Sequence, residues 1–183
     1  EGLGARLLHL SGDDACRVLS IASGSHNVTL EGLTIRNGAL TDAQGAGIHS
    51  LSVGLLTIQS CTIRANQITD AGGSTEFGAG IFCNGGTLVM ANSTISHNQA
   101  LNCGSAGISV NSVSATLTNC TISGNSALVA GGLGIQSSQV TLRQVTITNN
   151  SASISAGGIF SGSDVDLILG NTIVAGNTAP VYP

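Results

Sequence analysis

The sequence contains little charge and few aromatic side chains. Of 183 residues 8% are charged and 2% are aromatic, and lysine and tryptophan are absent. A formal net charge of −4 without a cluster of cations excludes nucleic acid and anionic membrane surfaces as expected partners. No run of about 18 apolar residues occurs, so this segment is not expected to insert into a membrane. Disorder is also excluded, because disordered chains are rich in charge and poor in β-branched residues.

Two kinds of segment repeat along the chain. One ends in aliphatic-x-x-Asn or Gly and occupies residues 28–38, 56–66, 88–98, 115–125, 140–150 and 167–177. The other is a small-Gly-aliphatic segment that precedes most copies, at residues 45–48, 78–81, 105–108, 130–133 and 156–159. The irregular spacing is typical of solenoid coils that carry loops of variable length at one corner. Alternation of apolar and polar residues indicates strands with one buried face.

The fold predicted from these repeats is all-β, a single-stranded right-handed parallel β-helix of about six to seven coils. Four inward columns are predicted, headed by Val28, Leu30, Leu33 and Ile35, with equivalent side chains about 4.8 Å apart in neighbouring coils. A turn column is predicted to adopt left-handed backbone conformations and to form a ladder of amide hydrogen bonds. It consists of Gly38, Asn66, Asn98, Asn125, Asn150 and Asn177.

We predict one domain, residues 1–183, with an irregular first coil (1–27), regular coils (28–178) and a C-terminal tail (179–183). Two prolines in the tail stop strand pairing. No polar capping helix precedes the first coil, so we expect an open edge there, which invites stacking on another chain. Because the sequence does not begin with Met, we expect a mature or excised segment.

The small-Gly-aliphatic segment followed by an aliphatic-x-x-Asn strand resembles the repeats of bacterial polymorphic-membrane-protein-like and related right-handed β-helix surface and secreted proteins, which share the pectin-lyase-like fold. The resemblance covers about residues 17–178, but Ile or Val stands where the chlamydial branch has Phe. It implies an extracellular or cell-surface bacterial location and a stalk, passenger or adhesin-like role. Because the family's motif residues are structural, it implies no catalytic residue and no cofactor.

Four residues are candidates for ligand contact. Arg36 and Arg64 are predicted to stack on adjacent coils, where two like charges are unfavourable unless an anion binds between them. His49 and Phe82 are predicted to share an outward column on which a sugar ring can stack, or over which a loop can pack. These residues support an alternative function, a carbohydrate-binding or polysaccharide-degrading (lyase-like) module, although a lyase needs a base and the chain has no Lys.

Two further patterns bear on ligand binding. Asp42 and Asp70 are predicted at one corner of neighbouring coils, but Ca²⁺ needs six or more oxygen ligands. A column of threonines headed by Thr34 is compatible with ice binding, although two arginines interrupt the adjacent column.

The five cysteines leave at least one thiol unpaired within the chain. A disulfide between Cys83 and Cys103 is one pairing that the sequence allows.

The sequence therefore predicts a non-catalytic, structural or adhesin-like β-solenoid segment. Expected partners are further copies of the chain stacked end to end as a fibre, or extracellular glycans or proteins.

Overall fold

A computed structural model describes residues 7–69 and 78–180 of the chain. Within these residues the regular secondary structure consists of β-strands, and no helix is present. In chain order the strands are β1 (His9–Ser11), β2 (Leu19–Ile21), β3 (Gly24–Glu31), β4 (Thr34–Arg36), β5 (Ala39–Thr41), β6 (Ile48–Gln59), β7 (Thr62–Arg64), β8 (Gln67–Thr69), β9 (Ile81–Ala91), β10 (Thr94–Ser96), β11 (Gln99–Leu101), β12 (Ile108–Asn111), β13 (Ser114–Thr118), β14 (Thr121–Ser123), β15 (Ser126–Ala127), β16 (Leu133–Gln136), β17 (Gln139–Arg143), β18 (Thr146–Thr148), β19 (Ser151–Ala152), β20 (Ile159–Ser161), β21 (Asp166–Gly170) and β22 (Ile173–Ala175).

The strands form three parallel sheets. Sheet 1 has seven strands in the order β1-β4-β7-β10-β14-β18-β22, and sheet 2 has five in the order β5-β8-β11-β15-β19. Sheet 3 joins β2 and β3 to β6, then β9, the pair β12 and β13, the pair β16 and β17, and the pair β20 and β21. Neighbouring strands of a sheet lie one coil apart in sequence, so the backbone winds as a β-solenoid of about six turns.

The interior is filled by columns of aliphatic side chains in the predicted register. Ile35 pairs with Ile63, and the column continues through fully buried isoleucines to Val174. The columns headed by Val28 and Leu30 run through sheet 3 in the same way. Because stacked aliphatic side chains fill the interior, the protein needs few aromatic residues.

The small residue before the glycine of each small-Gly-aliphatic segment has a separate packing role. Ala46, Ala79 and Ala106 are buried in a second cluster with residues of sheet 2. This cluster lies at the corner where sheet 2 meets the start of sheet 3. A larger side chain at these alanines would separate the two sheets.

The predicted left-handed conformation of the Asn column is wrong by one residue. Positive φ angles of 52° to 65° occur at the preceding position, which is occupied by Asn37, Ala65, His97, Gly124, Asn149 and Gly176. The left-handed residue makes the bend, and the asparagine that follows turns its side chain into the protein. At this position asparagine is therefore required because its side-chain amide forms hydrogen bonds. Glycine is required at position 38, where a Cβ atom would collide with the carbonyl group of Ala46.

The first coil is less irregular in sheet 1 than predicted. Strand β1 pairs in register with β4, and Leu10 lies opposite Ile35. In sheet 3 the register shifts between Gly24 and Asn27, and the described part of the first coil contributes no strand to sheet 2. Residues 1–6 and 181–183 and the loop that contains Asp70 and Glu76 lie outside the described residues, so the proposed domain limits remain predictions.

Candidate functional site

The predicted asparagine ladder is confirmed. Asn66, Asn98, Asn125 and Asn150 are 0% exposed. The Nδ2 group of Asn98 donates to Oδ1 of Asn125 at 3.0 Å and to the carbonyl oxygen of Ile63 in the preceding coil at 3.1 Å. The backbone N–H of Asn98 also donates to Oδ1 of Asn125, at 3.0 Å. The same three bonds recur from coil to coil, so the ladder joins consecutive coils at one corner of the solenoid.

A column of glycines lies opposite the ladder, and this contact was not predicted from the sequence. A Cβ atom on Gly80 would lie 2.9 Å from Nδ2 of Asn98, and one on Gly132 would lie 3.2 Å from Nδ2 of Asn150. The signal was present in the sequence, because Gly80 precedes Asn98 and Gly132 precedes Asn150 by the same number of residues. The glycine of the small-Gly-aliphatic segment therefore leaves room for the amides of the ladder.

The structure brings Arg36 and Arg64 together as predicted. They are directly paired on β4 and β7, one strand spacing or about 4.8 Å apart. Both side chains are half-buried. Among the described residues neither guanidinium group has a hydrogen-bond or ion-pair partner, and Nε of Arg36 is buried without one. The two residues thus form a small positive site on sheet 1.

His49 and Phe82 also lie side by side, with ring centroids 5.6 Å apart and an angle of 15° between the ring planes. Phe82 is 1% exposed, so its face is not open to a sugar ring. Burial lowers the pKa of His49, and the positive charge of Arg17 lowers that pKa further.

A surface cavity of about 220 Å³ begins beside Phe82 and was not predicted. The outward column of sheet 3 runs from Phe82 through Ser109 and Gly134 to Phe160. The two small residues leave a cleft between the two phenylalanines, which are three strand spacings or about 14 Å apart. Reading this column from the sequence would have revealed the cleft, because each member directly follows the aliphatic residue of its small-Gly-aliphatic segment.

The cleft offers apolar surface and uncharged polar groups. Val129 and Phe160 contribute apolar side chains to its lining, together with Ser105 and Ser109, while the side chains of Val110 and Ile135 belong to the core beneath it. Two amides complete the lining, those of Asn111 and Gln136. Such a combination suits a neutral ligand with an apolar face and several hydroxyl groups.

Comparison with known families agrees with this geometry. A family described as "Right handed beta helix region" matches residues 14–179. The chain belongs to the right-handed β-helix family. No curated protein and no solved structure matches it significantly. The predicted right-handed parallel β-helix fold is thereby confirmed. The family includes both enzymes and proteins without catalytic activity, and its fold is compatible with a structural or a carbohydrate-related module.

None of the five cysteines of this β-helix protein forms a disulfide, so the bond considered for Cys83 and Cys103 is not formed. Burial raises the pKa of Cys83 to about 12. Burial also raises the pKa values of Cys61 and Cys120 against the opposing effect of backbone hydrogen bonds. These thiols fill space in the core, and only Cys16 is exposed.

Within the described part of the β-helix, no three His, Cys, Asp or Glu side chains are grouped closely enough to hold a metal ion. Asp70 lies outside that part, so calcium binding near Asp42 and Asp70 remains a prediction. The same part contains no helix long and apolar enough to cross a membrane.

Proposed function

We propose that this β-helix is a non-catalytic structural or adhesin-like segment of a secreted or cell-surface bacterial protein, and that copies of it stack end to end. The observation that carries the proposal is the concentration of exposed aliphatic side chains on the two end coils. A non-catalytic role is supported by the cleft on sheet 3, whose lining contains no titratable side chain. Location and origin rest on the resemblance of the repeats to bacterial surface and secreted proteins.

Both end coils expose aliphatic side chains to solvent. Of the ten large hydrophobic residues exposed in the described part of the chain, seven lie on the first or the last coil: Leu7, Leu8, Leu10, Ile168, Leu169, Ile173 and Val174. Several of them, including Leu10 and Val174, belong to the inward columns and lie on the outermost coils that the structure describes. A concentration of apolar surface of this kind marks an interaction site.

The two ends are complementary in hydrogen bonding and in packing. Among the described strands, β1 pairs only with β4 in sheet 1 and β22 only with β18, so opposite edges of this sheet are unpaired at the two ends. A second copy can therefore add its β1 to β22 as the next parallel strand of sheet 1, with Leu10 stacked on Val174. Such a head-to-tail contact does not close on itself, and it produces a filament.

We expect the wild-type chain to form end-to-end filaments in negative-stain electron microscopy across a concentration series, and Leu169→Glu to leave single rods. Leu169 stacks on Leu142 in an inward column and would meet the next copy, so a carboxylate there would be buried without a partner. The matched control is Ile168→Glu. Ile168 is adjacent on β21 and equally exposed, at 51%, but points to the outer face.

Filaments that persist in Ile168→Glu and disappear in Leu169→Glu would support stacking through the end coil. Monomers of the wild-type chain at every concentration would refute it, as would equal loss of filaments in both variants. Thermal melting of each variant establishes that the last coil still folds.

A second candidate function, carbohydrate binding without cleavage, is supported by the cleft between Phe82 and Phe160. Its volume of about 220 Å³ exceeds the roughly 150 Å³ of an apolar cavity that accepts benzene, so one ring fits. The half-buried ring of Phe160 provides a stacking surface, and the serine and amide groups provide hydrogen bonds to hydroxyl groups.

For this second function we expect a glycan array to identify a neutral glycan whose affinity falls at least about tenfold in Phe160→Ala, because the stacking wall is lost. Leu101→Ala is the control, since it also shortens an exposed apolar side chain, but on sheet 2. Failure of every glycan to bind, or an equal effect of the two substitutions, would contradict it.

A further inference from the structure

The arginines of this protein differ in how their charge is satisfied. The guanidinium group of Arg17 donates to the carbonyl oxygens of Gln44, at 2.8 Å, and Gly45, at 3.1 Å. Arg17 thus stabilises the corner between sheets 2 and 3. Arg36 and Arg64 have no such partners among the described residues. Their side chains therefore have no comparable structural role.

The arrangement of Arg36 and Arg64 is unfavourable on its own. Like charges directly opposite each other on neighbouring strands repel, and half-burial reduces the screening of that repulsion by water. A buried donor without an acceptor, such as Nε of Arg36, is rare in folded proteins and costs free energy. Both costs are removed if an anion binds at this position.

We propose that Arg36 and Arg64 form a binding site for an oxyanion, a carboxylate or a sulfate group. The planar fork of a guanidinium group matches two oxygen atoms of such a group. Two forks one strand spacing apart converge on a single oxyanion, which accepts hydrogen bonds from both. An oxyanion bound beside Arg36 also supplies the acceptor that Nε lacks, once the side chain rotates toward it.

The surroundings of the pair suit an anionic group on a larger, hydroxyl-bearing molecule. Ser11 precedes Arg36 in the column and Ser96 follows Arg64. Beyond Ser96 the column continues with hydroxyl side chains at Ser123 and Thr148, which form a flat polar surface along sheet 1.

One acidic side chain of the first coil, that of Asp13, is engaged elsewhere. Asp13 accepts a hydrogen bond from the hydroxyl group of Ser11 at 2.8 Å and does not pair with Arg36. The proposed site lies on the outward face of sheet 1, directly beside β1 and away from the cleft of sheet 3. It uses outward side chains, whereas the proposed stacking uses the inward columns, so different substitutions test the two proposals.

The test is calorimetric titration of the full chain with sodium sulfate and with three polymers that share one backbone: dextran, carboxymethyl dextran and dextran sulfate. We expect saturable binding of the charged polymers and none of dextran. The net charge of −4 opposes nonspecific attraction of polyanions. In the double variant R36Q/R64Q the affinity is expected to fall at least about tenfold.

Arg143→Gln is the control, because Arg143 is an exposed arginine on β17 without a second arginine beside it in the register. Tighter binding of the charged polymers than of sulfate would identify an acidic polysaccharide as the source of the oxyanion. Equal affinity for sulfate and for the charged polymers would identify a free inorganic anion as the source of the oxyanion. Absence of saturable binding by any oxyanion, or an equal loss in R143Q and R36Q/R64Q, would overturn the proposal. Melting curves establish that each variant is folded.

Discussion

Replacement of Asn125 by alanine is expected to lower the free energy of unfolding by about 4 kcal/mol. The substitution removes the Oδ1 atom that accepts from the backbone N–H and the Nδ2 group of Asn98, and the Nδ2 group that donates to the carbonyl oxygen of Ile95. Three buried polar groups lose a partner, and each costs about 1 to 3 kcal/mol. Urea denaturation, with the slope m compared between variants, measures the change.

Two further Asn→Ala substitutions distinguish the stability contributed by the ladder from the effect of replacing any asparagine. Asn27→Ala removes an exposed side chain on β3 and is expected to change the free energy of unfolding by less than about 0.5 kcal/mol. Asn177→Ala deprives Asn150 of its acceptor at a half-exposed end of the ladder, where water replaces the lost partner in part. We expect an intermediate loss there. A loss of less than about 1 kcal/mol in the free energy of unfolding of Asn125→Ala would contradict the inference that the ladder stabilises the stacked coils.

The course of the backbone could be predicted because a solenoid repeats its local pattern. Each coil buries the same positions, so the columns headed by Leu30 and Ile35 were recognisable by aligning the coils. The parallel register follows from that alignment, since a strand can pair only with its equivalent one coil away. Agreement among six copies compensates for the ambiguity of any single short strand.

The conformation of the turn could not be assigned from residue preference alone. Both Asn and Gly tolerate positive φ, and both occur at the ladder position and at the position before it. Ala65 and His97 are left-handed despite an unfavourable preference, because the ladder fixes the neighbouring Asn66 and Asn98. Hydrogen bonding between coils therefore outweighs the local preference of the backbone.

The candidate sites were predictable to different degrees. The pairing of Arg36 with Arg64 follows from register alone, so the sequence was sufficient. The burial of Phe82 depends on what packs over an outward strand, and loops of variable length carry no repeating pattern from which to infer it. The cleft next to Phe82 follows from the outward column that contains Ser109 and Gly134, and it was missed because that column was not followed beyond Phe82.

Replacement of Gly80 by alanine is expected to be strongly disruptive for a change of one methyl group, with a loss of about 3 kcal/mol in the free energy of unfolding. The new Cβ atom would lie 2.5 Å from the carbonyl oxygen of Gly107. That oxygen accepts the hydrogen bond of the Ile81 N–H at 3.0 Å. The backbone at Gly80 and the backbone at Gly107 cannot move apart without weakening this bond. The Nδ2 group of Asn98, 2.9 Å from the same Cβ, would also have to move.

Gly170→Ala is the matched control for Gly80→Ala, because nothing lies closer than 3.8 Å to a Cβ atom at position 170. The free energy of unfolding of Gly170→Ala is expected to rise by about 0 to 1 kcal/mol, since alanine reduces the entropy of the unfolded chain. A large loss in Gly80→Ala with none in Gly170→Ala, measured by urea denaturation, would show that the glycine column and the asparagine ladder act as one packed unit. Equal tolerance of both substitutions would mean that the coils can shift apart to accept a methyl group, and the ladder would then not fix their spacing.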